Sequence, residues 1–447
     1  MSLHSAVDAM GRRGTSARST ATSQPLLRAA RERSGNPRSD RFSDRRDVHD
    51  RPDLPLHAAI AGRRKLYNRC ATHREDAAKR VLVVQDYVPA YRVAFFDALA
   101  VALAAHGYHL VVAHANTAGR ESPMRSDARR GHWSQLVRRR RIRLGRFTIT
   151  FRPAWRLARA SHTVVVELAS TNIDAYLYLA DPRIRTAVWG HGKNYVSPPS
   201  RLDEWIETAL AKRADVVLVY TNGGAESLWR RGVERSKITV LQNSTDVGSL
   251  RSQIAMLSAA DVQEFRTTAD LGTGPIAAFV GALDSSKNLP LLFSAVEKVH
   301  RVIPSFQLLV AGSGPLQAWA EEAARGLSCV KLLPYASTEV LALISAVADC
   351  VVMPGRVGLV AVDALAMGLP VVTTEFAYHA PEFEYLGRTT SIRAAENAEA
   401  FAEAVASLLL DRPRVAAMQK AAHEAGARFG IEQMVEQFLK GLDLPPR

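Results

Sequence analysis

Three side chains stand where this sequence could do chemistry: Asp363, Lys287 and His191. Asp363 lies in Met353-Pro-Gly-Arg-Val-Gly-Leu-Val-Ala-Val-Asp-Ala-Leu-Ala-Met-Gly-Leu-Pro-Val-Val372. That stretch reads as an apolar strand, a Pro-Gly turn, a glycine at Gly358 and a helix that stops at Gly368-Leu-Pro370. A helix start offers unpaired backbone N–H groups and a positive dipole end, which suit a phosphate, and a carboxylate nearby can accept hydrogen bonds from sugar hydroxyls. The same residues also fit a buried βα unit with Asp363 as a surface acid. Lys287 lies in Phe279-Val-Gly-Ala-Leu-Asp-Ser-Ser-Lys-Asn288, a passage from strand to glycine turn to lysine to helix. Gly281 permits close backbone approach and Lys287 supplies a point charge for a phosphate, although an ordinary βα loop with a solvated lysine has the same pattern. Ala311-Gly-Ser-Gly-Pro315 is a second such loop, with Pro315 placed to start a helix. His191 sits between two glycines in Ala187-Val-Trp-Gly-His-Gly-Lys193, just past a strand, where small neighbours leave the imidazole accessible.

The elements that must carry these residues alternate in type. Short apolar runs at Arg80–Gln85, Tyr108–Ala113, Thr163–Glu167, Thr186–Trp189, Asp215–Tyr220 and Ile238–Leu241 read as strands, with helical stretches between most of them. The apolar pattern weakens between Val247 and Gly274. It then resumes with strands at Ile276–Val280, Phe306–Ala311, Val330–Leu333, Cys350–Met353 and Pro370–Thr374, helices between them, and a closing helix at Ile431–Leu439. Such alternation predicts an α/β fold of two Rossmann-like, doubly wound parallel-sheet domains facing a cleft. The boundaries fall as a basic tail at 1–78, a first domain at 79–250, a linker or helical connection at 251–274, a second domain at 275–429, and a C-terminal helix and tail at 430–447 that could pack back on the first domain.

Composition narrows the setting. With 47% apolar residues, 447 residues can bury two substantial cores. Cys70, Cys329 and Cys350 are few and lack C-x-x-C spacing, which points to a reducing compartment and no disulfide framework. Residues 1–80 hold 18 Lys/Arg against 9 Asp/Glu and so carry +9 of the formal +14. That segment lacks an apolar run able to offset its ordering entropy, so it is expected to be disordered. Its charge could touch nucleic acid or anionic lipid, or it is a non-functional extension; no nucleic-acid partner is expected. It has no secretory apolar core, and its acids argue against a transit peptide. No stretch of about 18 uncharged apolar residues occurs, so a cytoplasmic protein is expected, with peripheral membrane attachment open. Arg138-Arg-Arg-Arg-Ile-Arg-Leu-Gly-Arg146, ahead of Phe147, Ile149 and Phe151, has two readings. It either docks on anionic lipid or is an edge strand whose charges deter pairing.

In this order the pieces resemble one family, the retaining nucleotide-sugar glycosyltransferases of the GT-B fold, family 4 (glycosyl transferases group 1). The resemblance covers roughly residues 80–440 and is strongest from Ile276 to Pro381. It implies a hexosyltransferase-type enzyme with an acceptor-binding first domain and a donor-binding second domain. The substrates would be a nucleotide-diphosphate sugar and a saccharide or lipid-linked acceptor, in envelope or exopolysaccharide biosynthesis. It implies that Gly281 and Lys287 stand in the element that holds the diphosphate, with Ala282 where the family has arginine. Asp363 would bond the donor ribose, and Gly355 stands where the family has its earlier acid, so Arg356 could replace some phosphate charge. Gly358 and Leu359 would offer backbone N–H groups, Pro334 and Tyr335 would meet the nucleobase, and His191 would lie near the donor sugar. Leu241-Gln-Asn-Ser-Thr-Asp246 is similar to the family's Asn-Gly-x-Asp segment. Tyr91 and Arg92, in place of the family's glycine-rich turn, are expected on the acceptor side. His191, Lys287 and Asp363 are thus the expected catalytic set. No cofactor beyond the donor is expected, and the absence of any Asp-x-Asp pair suits a metal-independent enzyme. A nucleotide-sugar epimerase of this architecture, or a non-catalytic relative kept for binding, are the competing readings.

Overall fold

A computed structural model describes residues 79–115, 130–144, 147–196, 200–333 and 335–444. The expected disordered tail at 1–78 and the candidate Pro334 lie outside the described residues. Among the described residues, the first half builds a seven-stranded sheet from β1 (Lys79–Gln85), β2 (Tyr108–Ala115), β3 (Ser134–Val137), β6 (Thr163–Glu167), β7 (Thr186–Gly190), β8 (Val216–Val219) and β9 (Ile238–Val240). Every neighbouring pair is parallel, in the order β3-β2-β1-β6-β7-β8-β9. Runs such as Val81 to Val84 and Val164 to Val166 are buried throughout, as parallel strands covered on both faces require. Helices α1 (Val93–Ala105), α2 (Trp155–Arg159), α3 (Ile173–Ala180), α4 (Arg201–Arg213) and α5 (Asn222–Arg230) supply that cover. Ser200 and Thr221 cap α4 and α5 by accepting from Asp203 and Gly224 amides.

The second half repeats the plan with six parallel strands in the order β12-β11-β10-β13-β14-β15. These are β10 (Ile276–Val280), β11 (Gln307–Ala311), β12 (Val330–Leu333), β13 (Cys350–Met353), β14 (Val371–Thr374) and β15 (Ser391–Ala394). Before them come α6 (Val247–Met256) and α7 (Ala259–Thr268); α8 (Leu289–Val302), α9 (Gln317–Ala324), α10 (Thr338–Val347) and α11 (Val360–Ala366) lie between strands. The helices α12 (Ala398–Leu410) and α13 (Arg412–Gly426) follow the sheet. The segment 251–274 is helical as far as Thr268, and Val247, Leu250 and Phe265 of α6 and α7 sit in the second half's core rather than between cores. The last helix, α14 (Ile431–Leu442), returns to the first half, where Ile431, Met434, Val435, Phe438 and Leu442 pack with α1 residues Phe95, Phe96 and Leu99.

Four strands escape a reading by apolar runs. β3 and β15 are edge strands of four residues with polar positions, Ser-Gln-Leu-Val and Ser-Ile-Arg-Ala. The basic segment forms an antiparallel hairpin of β4 (Arg140–Leu144) and β5 (Phe147–Phe151), separate from the large sheet.

The topology decides where a ligand can sit. Strand order reverses between β1 and β6 in one half and between β10 and β13 in the other. Crevices of open α/β sheets form past the carboxyl ends of strands at such reversals. The residues just beyond β10 and β13 are Gly281 and Pro354-Gly355-Arg356; those at β1 and β6 are Asp86 and Glu167.

Candidate active site in the interdomain crevice

The second half's crevice edge is a tight knot of backbone. After β10 the chain turns through Gly281 into the short turn Ser285–Lys287, where Asp284 accepts from the Ser286 amide (2.9 Å). Arg356 donates its amide to the Ser286 carbonyl (2.8 Å), and Lys287 returns its Nζ to the Arg356 carbonyl (2.7 Å). Gly355 lies under this crossing: any side chain there would run into the Ser286 carbonyl and the Lys287 backbone. The family's acid at this position is therefore excluded by shape.

Burial lowers the Lys287 pKa, with Asp284 opposing and Arg356 adding to the shift. Among the described residues neither Lys287 nor Arg356 forms an ion pair, so both charges are available to a ligand. His379 completes the edge. Its Nδ1 accepts from the Val357 amide (3.1 Å) and its Nε2 lies 3.0 Å from the Thr374 carbonyl, which fixes a neutral tautomer with the proton on Nε2. Burial is the main cause holding its pKa at about 4, with Arg393, Lys287 and Arg356 adding to it.

Asp363 stands in the first turns of α11 and accepts a 2.6 Å hydrogen bond from Thr245, which lies between the halves. Burial raises its pKa to about 6, against the Thr245 bond. Gly358 and Leu359, immediately before α11, offer amides that the helical pattern leaves without carbonyls. Tyr335 is 68% exposed past β12, two strands from β10 on the same sheet edge.

From the first half, His191 follows β7 and is open to solvent. Crowding by surrounding protein, then Arg356 and Arg92, hold its pKa down at about 4. Arg356, from the second half, is thus among the charges that act on His191. The His191 ring lies 5.1 Å from Tyr220 and 5.9 Å from Tyr195.

Arg92 does not line the acceptor side. It is 3% exposed, with its guanidinium over the rings of Tyr91, Phe95, Trp189 and Tyr220 at 5.0–5.8 Å and an Nη1 contact to Met434 Sδ. The four rings and the returning helix α14 remove it from solvent, and it acts as a buried charge behind His191. Tyr91 remains 39% exposed.

Charged groups that no motif announces fill the first half's switch point. Glu167 ends β6 beside β7, with its side chain 39% exposed. Arg152 donates to it from Nη1 (2.9 Å), and the Asp86 amide donates at 3.3 Å. Arg152 is itself buried and pairs through Nε with Asp174 (2.8 Å). From the hairpin, Arg139 and Arg141 each reach Asp86 at 3.2 Å. Only the fold brings these partners, far apart in sequence, together.

Sequence profiles match both halves: Glycosyltransferase Family 4 over residues 94–248 and Glycosyl transferases group 1 over residues 274–411. The chain belongs to glycosyltransferase family 4. A glycogen synthase of Mycobacterium tuberculosis is 28% identical over 255 residues, covering 49% of this chain and 60% of that protein. The GDP-mannose-dependent alpha-(1-6)-phosphatidylinositol monomannoside mannosyltransferase of Mycolicibacterium smegmatis is 29% identical over 161 residues, 33% of this chain and 42% of that one. The chain thus spans 60% or less of the length of these curated relatives. Anabaena HepE, solved with UDP and glucose, superposes with a TM-score of 0.58 at 15% identity over 81% of this chain and 99% of its own. Sucrose-phosphate synthase from Thermosynechococcus elongatus gives 0.57 at 18% identity over 82% and 98%. These likenesses identify the fold as GT-B, two parallel-sheet α/β domains. Within this family member, the sites proposed from motifs in the second half gather at one sheet edge.

Proposed function

We propose that this family 4 member transfers a sugar, with retention, from a nucleotide-diphosphate donor to a saccharide or lipid-linked acceptor. The observation that carries the reading is the pair of cations at the β10/β13 switch point, Lys287 and Arg356. Among the described residues neither forms an ion pair, and Arg356 lies near enough to His191 to add, after burial, to holding that imidazole neutral. Partly buried like charges gathered this closely favour an anion between them. As the bond to the sugar breaks, charge grows on the leaving diphosphate, and preorganised cations and amides stabilise it without rearranging. Lys287, Arg356 and the amides of Gly358 and Leu359 take that role, and Asp363 accepts from the ribose hydroxyls. A neutral His191 can share a hydrogen bond with the donor sugar. HepE was solved with UDP and glucose, and the mycobacterial relative is GDP-mannose-dependent, which supports a nucleotide-sugar donor.

The acceptor belongs at the Asp86–Glu167 switch point, beside a hairpin whose Arg138, Arg140 and Arg143 face solvent. That surface suits an anionic, lipid-linked acceptor reached from a peripheral position in envelope or exopolysaccharide assembly. Among the described residues no helix is long and apolar enough to cross a membrane. The test is a calorimetric screen against UDP-, GDP-, ADP- and dTDP-sugars, then turnover with acceptor in anionic and neutral vesicles. Selective binding of one donor with transfer is the expected result. Interconversion of free nucleotide sugars would instead make the protein an epimerase, and binding without transfer or hydrolysis would make it a binding protein.

A further inference from the structure

One side chain of the second half reaches deep into the first. Glu384, in the short helical turn Pro381–Tyr385, accepts from Tyr195 Oη (2.6 Å), the Gly223 amide (2.8 Å) and Lys193 Nζ (2.8 Å). Lys193 and Tyr195 lie two and four residues past His191, and Gly223 opens α5. The Glu384 carboxylate sits directly against Gly223, where a Cβ would displace it. Adjacent bonds follow the same seam: Tyr385 Oη donates to the Tyr220 carbonyl (3.0 Å), and Asn243 Nδ2 donates to Glu382.

The other end of this turn is tied to the donor loop. Ala380 donates its amide to the Val357 carbonyl (2.8 Å), Val357 donates to His379 Nδ1 (3.1 Å), and Arg356 precedes Val357. A short chain of contacts therefore runs from Arg356 through His379 and Glu384 to the loop that holds His191.

We propose that Glu384 is a positioning residue: a latch that registers the His191 loop against the donor loop, so that the crevice is complete only while it is closed. The proposal rests on the donor reading given above. Despite burial, which works against it, the Lys193, Tyr195 and Gly223 donors hold the Glu384 carboxyl below its usual range. Its side chain remains 26% exposed. Ion pairs with this much water access are individually weak, which suits a contact that must open and close during turnover.

The experiment uses the full chain with Glu384→Ala and Glu384→Gln, read by hydrogen–deuterium exchange and by kinetics with UDP and GDP as binding probes. Glu384→Ala is expected to speed exchange at least tenfold in peptides covering 190–196 and 221–230, and to leave Ile276–Val280 and Cys350–Met353 protected. Affinity for the nucleoside diphosphate that binds is expected to change less than threefold, while kcat falls at least thirtyfold at unchanged donor KM. Glu384→Gln keeps an acceptor for Tyr195 and Gly223 and is expected to recover part of kcat. Lys193→Met breaks the ion pair from the other side and should reproduce the exchange pattern, which separates latch loss from misfolding. Unchanged exchange in Glu384→Ala overturns the latch, and faster exchange with unaltered kcat overturns its positioning role. If neither UDP nor GDP binds the parent, the donor reading is in difficulty while the exchange data still judge the latch.

Discussion

At the β10/β13 switch point the chain presents short turns, close backbone crossings and two cations without ion-pair partners among the described residues. At the β1/β6 switch point it presents a web of paired charges, Asp86, Arg139, Arg141, Glu167, Arg152 and Asp174, drawn from a hairpin, two strand ends and a helix. The same doubly wound plan thus carries two kinds of surface. A diphosphate is a fixed chemical object, and a rigid backbone cradle can meet it. Acceptors vary, and side chains on inserted elements can be exchanged without disturbing the sheet. The crevice works only if both surfaces are held in register, which is the part assigned to Glu384.

Disturbing the rigid cradle is expected to have the largest effect. Gly355→Glu introduces the acid that the family resemblance leads one to expect here, and is expected to fail. The new side chain must displace the Ser286–Lys287 backbone, an overpacking at the upper end of about 1–3 kcal/mol. Thermal melting should show the loss, and calorimetry should show nucleoside diphosphate binding abolished. A Gly355→Glu protein that melts like the parent and binds as well would show that the turn is not rigid. Next in size is Lys287→Ala. Losing a charge-assisted contact to the diphosphate costs about 2–3 kcal/mol, a ~30–150-fold weaker Kd by calorimetry. Parental affinity in that variant would remove the phosphate assignment.

The difference between the halves also explains what could be read in advance. Strands such as Ile276–Val280 and Cys350–Met353 are uninterrupted apolar runs between glycine turns, so their bounds and the residues beyond them follow from local sequence. Lys287, Arg356 and Asp363 lie within a few residues of such strands or helix starts. Arg92 looks like part of an open loop from its neighbours in sequence, yet it is buried. Its box is closed by Trp189, Tyr220 and Met434, 97, 128 and 342 positions away. Glu384 and Glu167 carry no motif at all; their partners come from elsewhere in the chain. Edge strands β3 and β15 carry polar positions that interrupt the apolar pattern.

Substitution of Asp363 is expected to have a smaller effect. Its pKa is raised to about 6 by burial, so the acid form favours folding. That contribution is full below the ordinary carboxylate pKa and is lost as pH rises through about 6. Donor binding runs the other way, because ribose hydroxyls need the ionised acceptor. Asp363→Asn should therefore melt higher than the parent at pH 7.5, by about 1–2 kcal/mol or a few degrees, while binding the nucleotide more weakly. Thr245 can still donate to the amide oxygen, so the variant should remain folded. A lower melting temperature at pH 7.5 would mean that Asp363 is a structural acid rather than one held for a ligand.

The gentlest probe reports on the crevice without changing a residue. His191 sits near pKa 4 because of crowding by protein and the neighbouring Arg356 and Arg92. A histidine depressed in this way contributes stability above its ordinary pKa near 6.5, and loses it as pH falls toward 4. A nucleoside diphosphate bound between Lys287 and Arg356 brings negative charge to the same place and must favour the imidazolium. Its pKa should then rise by about one unit, some 1.4 kcal/mol of interaction. Histidine NMR titration with and without UDP or GDP measures this directly, with His191→Gln assigning the resonance. His379 is anchored to Val357 and Thr374 in its neutral form, so it should move less. A saturating nucleotide that left His191 unmoved would place the diphosphate away from the crevice wall that the first half contributes.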